Sequence, residues 1–174
     1  LKAIKVGSAY QVATLAILMA MQLLLGSFLS IQFLTAKITF SFIVTAFMAR
    51  LYPPKVTAGV TALSYLIGML LFPKFAFFFG FVITAALTGY TFGICFYQKT
   101  ITWRRIAIAA FVINFGWNLF LNSTWLHMMY GIAWSGLFDT RVPQEIVYFG
   151  IYVVLIKICF TAIPIERLQR SRLD

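Results

Sequence analysis

Charge vanishes from this chain for long stretches and then returns in short clusters. No Asp, Glu, Lys or Arg lies between Lys5 and Lys37, Lys55 and Lys74, Lys74 and Lys99, or Arg105 and Asp139. About 20 helical residues cross a hydrocarbon layer of roughly 30 Å, so each interval can hold one span. Two weaker apolar stretches complete the pattern: Ile38 to Leu51, which is short, and Gln144 to Pro164, which carries Glu145 near one end and Lys157 towards the other. The pattern predicts six helices, at 8–29, 38–52, 55–72, 75–97, 105–128 and 144–164. The apolar runs are continuous rather than alternating with period two, which argues against a strand barrel. Pro53-Pro54 and Pro73 punctuate the links around the third span, and Pro143 fits the first turn of the last helix, where a missing N–H costs nothing.

Composition turns this pattern into a solvent assignment. Apolar residues make up 62% of the 174 and charged residues 10%, and the mean hydropathy of +0.94 lies far above that of water-soluble domains. The expected fold is an all-α integral membrane protein, residues 1–174 forming one membrane domain. The first apolar run is too long for a cleaved signal sequence and is expected to be retained. Basic residues set the orientation. With the N-terminus inside, Lys2, Lys5, Arg50, Lys55, Lys99, Arg104, Arg105, Arg167, Arg170 and Arg172 are cytoplasmic, and only Lys37, Lys74 and Arg141 lie outside. Both termini are therefore expected in the cytoplasm. The net charge of +10, spread over loop ends, is what orientation and anionic lipid demand, so nucleic acid is not an expected partner. Cys95 and Cys159 fall towards the cytoplasmic ends of their spans, where a structural disulfide is not expected.

Enzyme signatures are missing. One His without paired cysteines gives a metal too few ligands, no G-x-S-x-G frames a serine, and no G-x-x-x-x-G-K-[ST] cradles a nucleotide. Neither metal nor cofactor is expected, and uphill transport would draw its energy from another subunit or an ion gradient. A self-contained secondary carrier and a membrane scaffold stay open as other classes.

Polar residues concentrate in "LNSTWLHMMYGIAWSGLFDTRVPQE", Leu121 to Glu145. Asn114, Asn118 and Asn122 recur every four residues on one helical face, with Trp117 and Trp125 on a flanking face. Amides in a bilayer need partners, and they either join helices or line a site. Asn122, Arg141 and Gln144 fall close together in sequence beside aromatic residues, a set suited to a small anionic molecule. The tryptophans fit an interfacial belt equally well, His127 reads as an interfacial residue, and Glu145 either neutralises or holds Arg141. On the first span, Ala9, Ala13, Ala16 and Ala20 form a strip of small residues that packs within the chain or against another helix.

These residues carry a resemblance. "LFPKFAFFFGFVITAALTGYTFGICFY", Leu71 to Tyr97, then "LNSTWLHMMYG" and "RVPQE", are similar in order and spacing to motifs of the folate-family S components of energy-coupling factor (ECF) vitamin transporters. The likeness runs from about Ala16 to Ile163. It implies a six-helix subunit that captures a vitamin at the extracellular side and associates with a membrane T component and two ATPases. It also implies that Ala16 and Ala20, with Ala13 in register, touch the T component, and that the subunit topples to release its cargo.

Two departures bear on the vitamin. Folate-binding members carry an Arg where Ser27 stands and a Lys where Gln144 stands. One assured cation, Arg141, beside several amides favours pantothenate, a monoanion, ahead of folate and then pyridoxine, unless Lys37 or Lys74 supplies a second charge. On this reading Asn122 and Gln144 hydrogen-bond the vitamin and Arg141 pairs with its carboxylate. Trp125, Tyr148 and Phe79 form walls, Asn118 lies one turn deeper, and Gln32 and Phe33 belong to a lid.

Overall fold

The computed structural model describes residues 9–28, 30–33, 36–73 and 76–162. Helix α1 (Ala9–Ser27) leads into a hairpin of β1 (Ser30–Phe33) and β2 (Ala36–Thr39), followed by α2 (Ser41–Leu51), α3 (Pro54–Leu71) and α4 (Phe79–Phe96). Helix α5 (Trp103–Phe111), a π-helical stretch (Val112–Leu121) and α6 (Asn122–Tyr130) then run on as one 28-residue rod. Helix α7 (Trp134–Ala162) is the last described element. Five of these rods are long and apolar enough to span a membrane, and α2 is the short sixth.

The membrane bundle is all-α as expected, with one short hairpin between α1 and α2. The hairpin pairs Ser30 with Thr39 and Phe33 with Ala36 in antiparallel register, and it takes residues that a helix starting at 38 would have used. Helix α2 keeps 11 residues, a rise of about 16 Å, or half the hydrocarbon thickness. It is nonetheless the most enclosed helix, with Phe42, Val44, Thr45, Ala46, Met48, Ala49 and Arg50 all buried. Around it Phe92, Phe96, Ile106, Ala109, Ile113 and Ile156 close the core. Helix α1 behaves oppositely: Gln22 is its sole buried residue, and Ile17, Met21 and Leu24 face outward.

The last helix begins ten residues earlier than the sequence pattern predicts, at Trp134 rather than Gln144. The polar run Ser135 to Arg141 reads as a loop, yet it is helical, and Pro143 sits inside the helix instead of in its first turn. Its ring lies on the exposed side, as does Asp139, whose carbonyl loses its helical partner to the missing N–H.

Helices α3 and α4 approach most closely. A Cβ on Gly93 would lie 2.5 Å from Pro54 Cα, and one on Gly89 would lie 2.9 Å from the Thr57 carbonyl oxygen. These two glycines, one turn apart, give the small-residue groove that membrane helices need where no hydrophobic force pulls them together. At the end of α4, the Arg50 guanidinium donates to the carbonyl of Phe96, the last helical residue (3.3 Å), and to that of Lys99 in the following turn, placing a cation at the negative end of the dipole. Arg50, Lys55, Lys99, Arg104 and Arg105 therefore share one end of the bundle, at the junctions α2–α3 and α4–α5.

Candidate functional site

The opposite half of the bundle holds a cavity of about 460 Å³, within the size range of small-molecule sites. Every long rod contributes to its wall. Gln22 and Ser27 come from α1, Phe42 and Thr45 from α2, Thr61, Ser64 and Tyr65 from α3, Phe81 and Thr84 from α4, and Asn118 and Asn122 from the fifth rod. Helix α7 supplies Arg141, Gln144, Glu145, Tyr148 and Tyr152. Positions 141, 145, 148 and 152 fall on one helical stripe, which continues as the buried Leu137 and Ile156 at either end. The stripe is an ordinary core face into which four polar or amphipathic residues have been written.

The π-helical stretch shapes the facing wall. Its backbone N–H groups reach back five residues, as Asn122 N–H does to Trp117 O, and such geometry concentrates at functional sites. Three amides form a ladder there: Asn118 Nδ2 donates to Asn114 Oδ1 (3.5 Å), and Asn122 Nδ2 to Asn118 Oδ1 (3.4 Å). Asn114 is fully buried beneath the cavity rather than on its wall, and it serves as the foot of the ladder. Trp117 turns to α4, donating to the Thr91 hydroxyl at 2.9 Å.

Several buried polar atoms on the cavity wall have no hydrogen-bond partner among the described residues: Gln22 Oε1, Ser64 Oγ, Asn122 Oδ1, Arg141 Nε and Glu145 Oε2. Buried polar groups are normally satisfied, so a wall with both donors and acceptors left over is built to meet a polar molecule. Arg141 is held from behind by one bond, Nη1 to Ser123 Oγ at 3.3 Å. Glu145, one turn along α7, is 1% exposed. The floor is aromatic, with Phe42 stacked on Tyr152 at 3.8 Å between centroids and 14° between planes.

Of the residues singled out in the sequence, Asn118, Asn122, Arg141, Gln144 and Tyr148 all line this cavity. Phe79 does not: it is 62% exposed at the start of α4. The lining aromatic is Phe81, because two residues along a helix turn a side chain to nearly the opposite face. Trp125 also stands behind the wall. Its indole Nε1 donates to Thr84 Oγ1 at 3.1 Å and its ring packs on Phe78, so Thr84 meets the cavity and Trp125 holds Thr84. His127 Nδ1 bonds the Ile132 carbonyl at 2.7 Å and its ring lies against Trp134, closing the turn between α6 and α7. Lys74 and the side chains of Gln32, Phe33 and Lys37 lie outside the described residues. Sequence reasoning passed over Gln22, Ser64, Tyr65 and Phe81. For Gln22 and Ser64 a signal existed, since each is a polar side chain well inside an uncharged span.

A multi-pass bundle with an unsatisfied polar cavity walled by all its long helices defines a membrane protein that holds a small molecule. The chain matches the family model of the ECF transporter substrate-specific component over residues 10–165, and it belongs to that family. It is thus a transport subunit of the cell membrane, not an enzyme. It is 33% identical to the folate transporter FolT of Clostridium novyi (strain NT) over 82% of this chain and 83% of the relative. It is 30% identical to the folate transporter FolT of Leuconostoc mesenteroides over 82% and 80% of the two chains. A crystal structure of FolT bound with folic acid superposes with a TM-score of 0.85 at 28% identity, covering 90% of this chain and 95% of that one.

Proposed function

We propose that this S component captures folate and delivers it to a T component powered by two ATPases. The single observation that carries the substrate reading is the buried Arg141–Glu145 pair in one cavity wall. Taking Arg141 as an uncompensated cation favours pantothenate. Glu145, one turn away and equally enclosed, cancels that charge and makes the wall a poor trap for a monoanion. The same pair suits the neutral pteridine ring of folate. That ring presents two adjacent N–H donors and a carbonyl along one edge, which a carboxylate beside a guanidinium can meet in full. The Phe42–Tyr152 stack offers a flat apolar floor for the ring, and the glutamate tail, with its two carboxylates, points to the mouth. The names of the relatives support folate over pantothenate and pyridoxine.

Calorimetric titration of the purified chain with folate, pantothenate and pyridoxine tests this reading. Folate is expected to bind with a Kd below about 1 μM and the other two to give no comparable heat; tight binding of pantothenate overturns it.

Partner docking has a separate surface. Ala13, Ala16 and Ala20 are exposed on α1, so they do not serve packing within the chain, and we assign them to a close helix approach by the T component. With Trp at both positions 16 and 20, folate uptake by the assembled transporter is expected to fall about tenfold or more, while folate binding to the isolated subunit stays unchanged. Wild-type uptake rates in that double variant remove the strip from the docking surface.

A further inference from the structure

Lys157 stands on the membrane-facing side of α7 among Val154, Ile158, Thr161 and Ala162, where a cation is costly unless it is met by a partner or reaches the headgroup layer. Across from it, Trp103 opens α5, and the ammonium lies 5.6 Å from the indole centroid. Between the two helices runs a groove of about 360 Å³ whose walls are almost wholly apolar. The acids among the described residues, Asp139 and Glu145, lie far along α7 towards the cavity, so the Trp103 ring is the group that meets this charge within the described chain. Arg104 is exposed beside Trp103, and the groove opens at the end of the bundle that carries Arg50, Lys55, Lys99 and Arg105.

We propose that this groove binds one anionic glycerophospholipid, its acyl chain against Val154 and Ile158 and its phosphate on Lys157. Charge complementarity chooses the occupant. An apolar slot capped by one ammonium and an indole matches a molecule with a hydrocarbon body and a negative head, whereas a zwitterionic lipid brings its own cation to the same place. The slot depth agrees, because Lys157 lies level with Trp103, the first residue of α5, beside the exposed Arg104 at the basic end of the bundle. A lysine at that depth reaches up to a phosphate while its methylenes stay in the groove.

Phosphatidylglycerol and phosphatidylcholine with brominated acyl chains, each mixed into nanodiscs holding the full chain, provide the test. Bromine quenches indole on contact, and the Trp103 signal is the difference between wild type and Trp103→Phe. Brominated phosphatidylglycerol is expected to quench Trp103 with about fivefold higher apparent affinity than the phosphatidylcholine. Lys157→Met is expected to abolish the preference, Lys157→Arg to keep it, and folate binding to be unchanged in both. Equal quenching by the two lipids in wild type overturns the proposal. So does a preference that survives Lys157→Met, which would reflect diffuse attraction to the basic end.

Discussion

Arg141→Gln is expected to weaken folate binding on the order of a hundredfold, because truncating a buried charge that hydrogen-bonds a bound ligand costs about 2–5 kcal/mol. Pteroate, which lacks the glutamate tail, separates the possible causes. If Arg141 and Glu145 together read the pteridine edge, the loss is the same for folate and pteroate, and Glu145→Gln reproduces it. If Arg141 instead grips a tail carboxylate, pteroate binds the variant as well as it binds wild type, and the proposed placement of the ring is wrong. Stability needs its own control, since a lone buried charge destabilises a fold by about 3–5 kcal/mol. The double variant Arg141→Gln with Glu145→Gln leaves no unpaired charge. It is expected to melt near the wild-type temperature and still bind folate poorly.

The second large effect is on the fold. Gly93→Ala places a methyl group 2.5 Å from Pro54 Cα, and Pro54 cannot yield, since the contact is with backbone in the first turn of α3. Separating α3 from α4 is expected to cost about 2–3 kcal/mol, at the upper end for overpacking, with Gly93→Leu worse. Gly150 gives the comparison. A Cβ there meets nothing within 4 Å, so Gly150→Ala is expected to be neutral or to stabilise by up to about 1 kcal/mol. Thermal unfolding in detergent, followed by loss of folate binding, ranks the three. A Gly93→Ala chain as stable as wild type means that α3 and α4 are not held by their close approach.

Much of this architecture was legible because the bilayer writes a strong signal. Uncharged intervals mark four of the five long spans, and the amides and Arg141 fall together because the loop between α6 and α7 is short. The signal failed where it was weak. The stretch Ser135 to Arg141 looks like a loop because four of its seven residues are polar, yet it is helical, with Ser135, Asp139 and Thr140 exposed while Leu137 and Arg141 turn inward. The expectation falls on Phe79 and the lining residue is Phe81, because phase within an all-apolar helix cannot be read when each face is equally oily. Arg141 stands out as the one assured cation of the set, while whether Glu145 neutralises or holds it is not legible, because the enclosure of Glu145 depends on where α7 packs. The hairpin ahead of α2 leaves no mark in composition at all. The π-helical stretch leaves none either, since its residues would serve an α-helix equally well.

That last feature bears on how this rod can change over generations. A π-helical turn holds one more residue than an α-helical one, so the segment Val112–Leu121 is a length of slack wound into an otherwise taut helix. Deleting one residue there lets a turn tighten to ordinary bonding, with Trp103 and Tyr130 still at their own ends of the membrane. The same deletion in α4 would swing every side chain beyond it by about 100° and misalign Gly89 or Gly93. Insertions and deletions among descendants of this chain should therefore collect inside the fifth rod, beside the cavity, where each shift re-aims an amide and offers selection a different set of donors and acceptors.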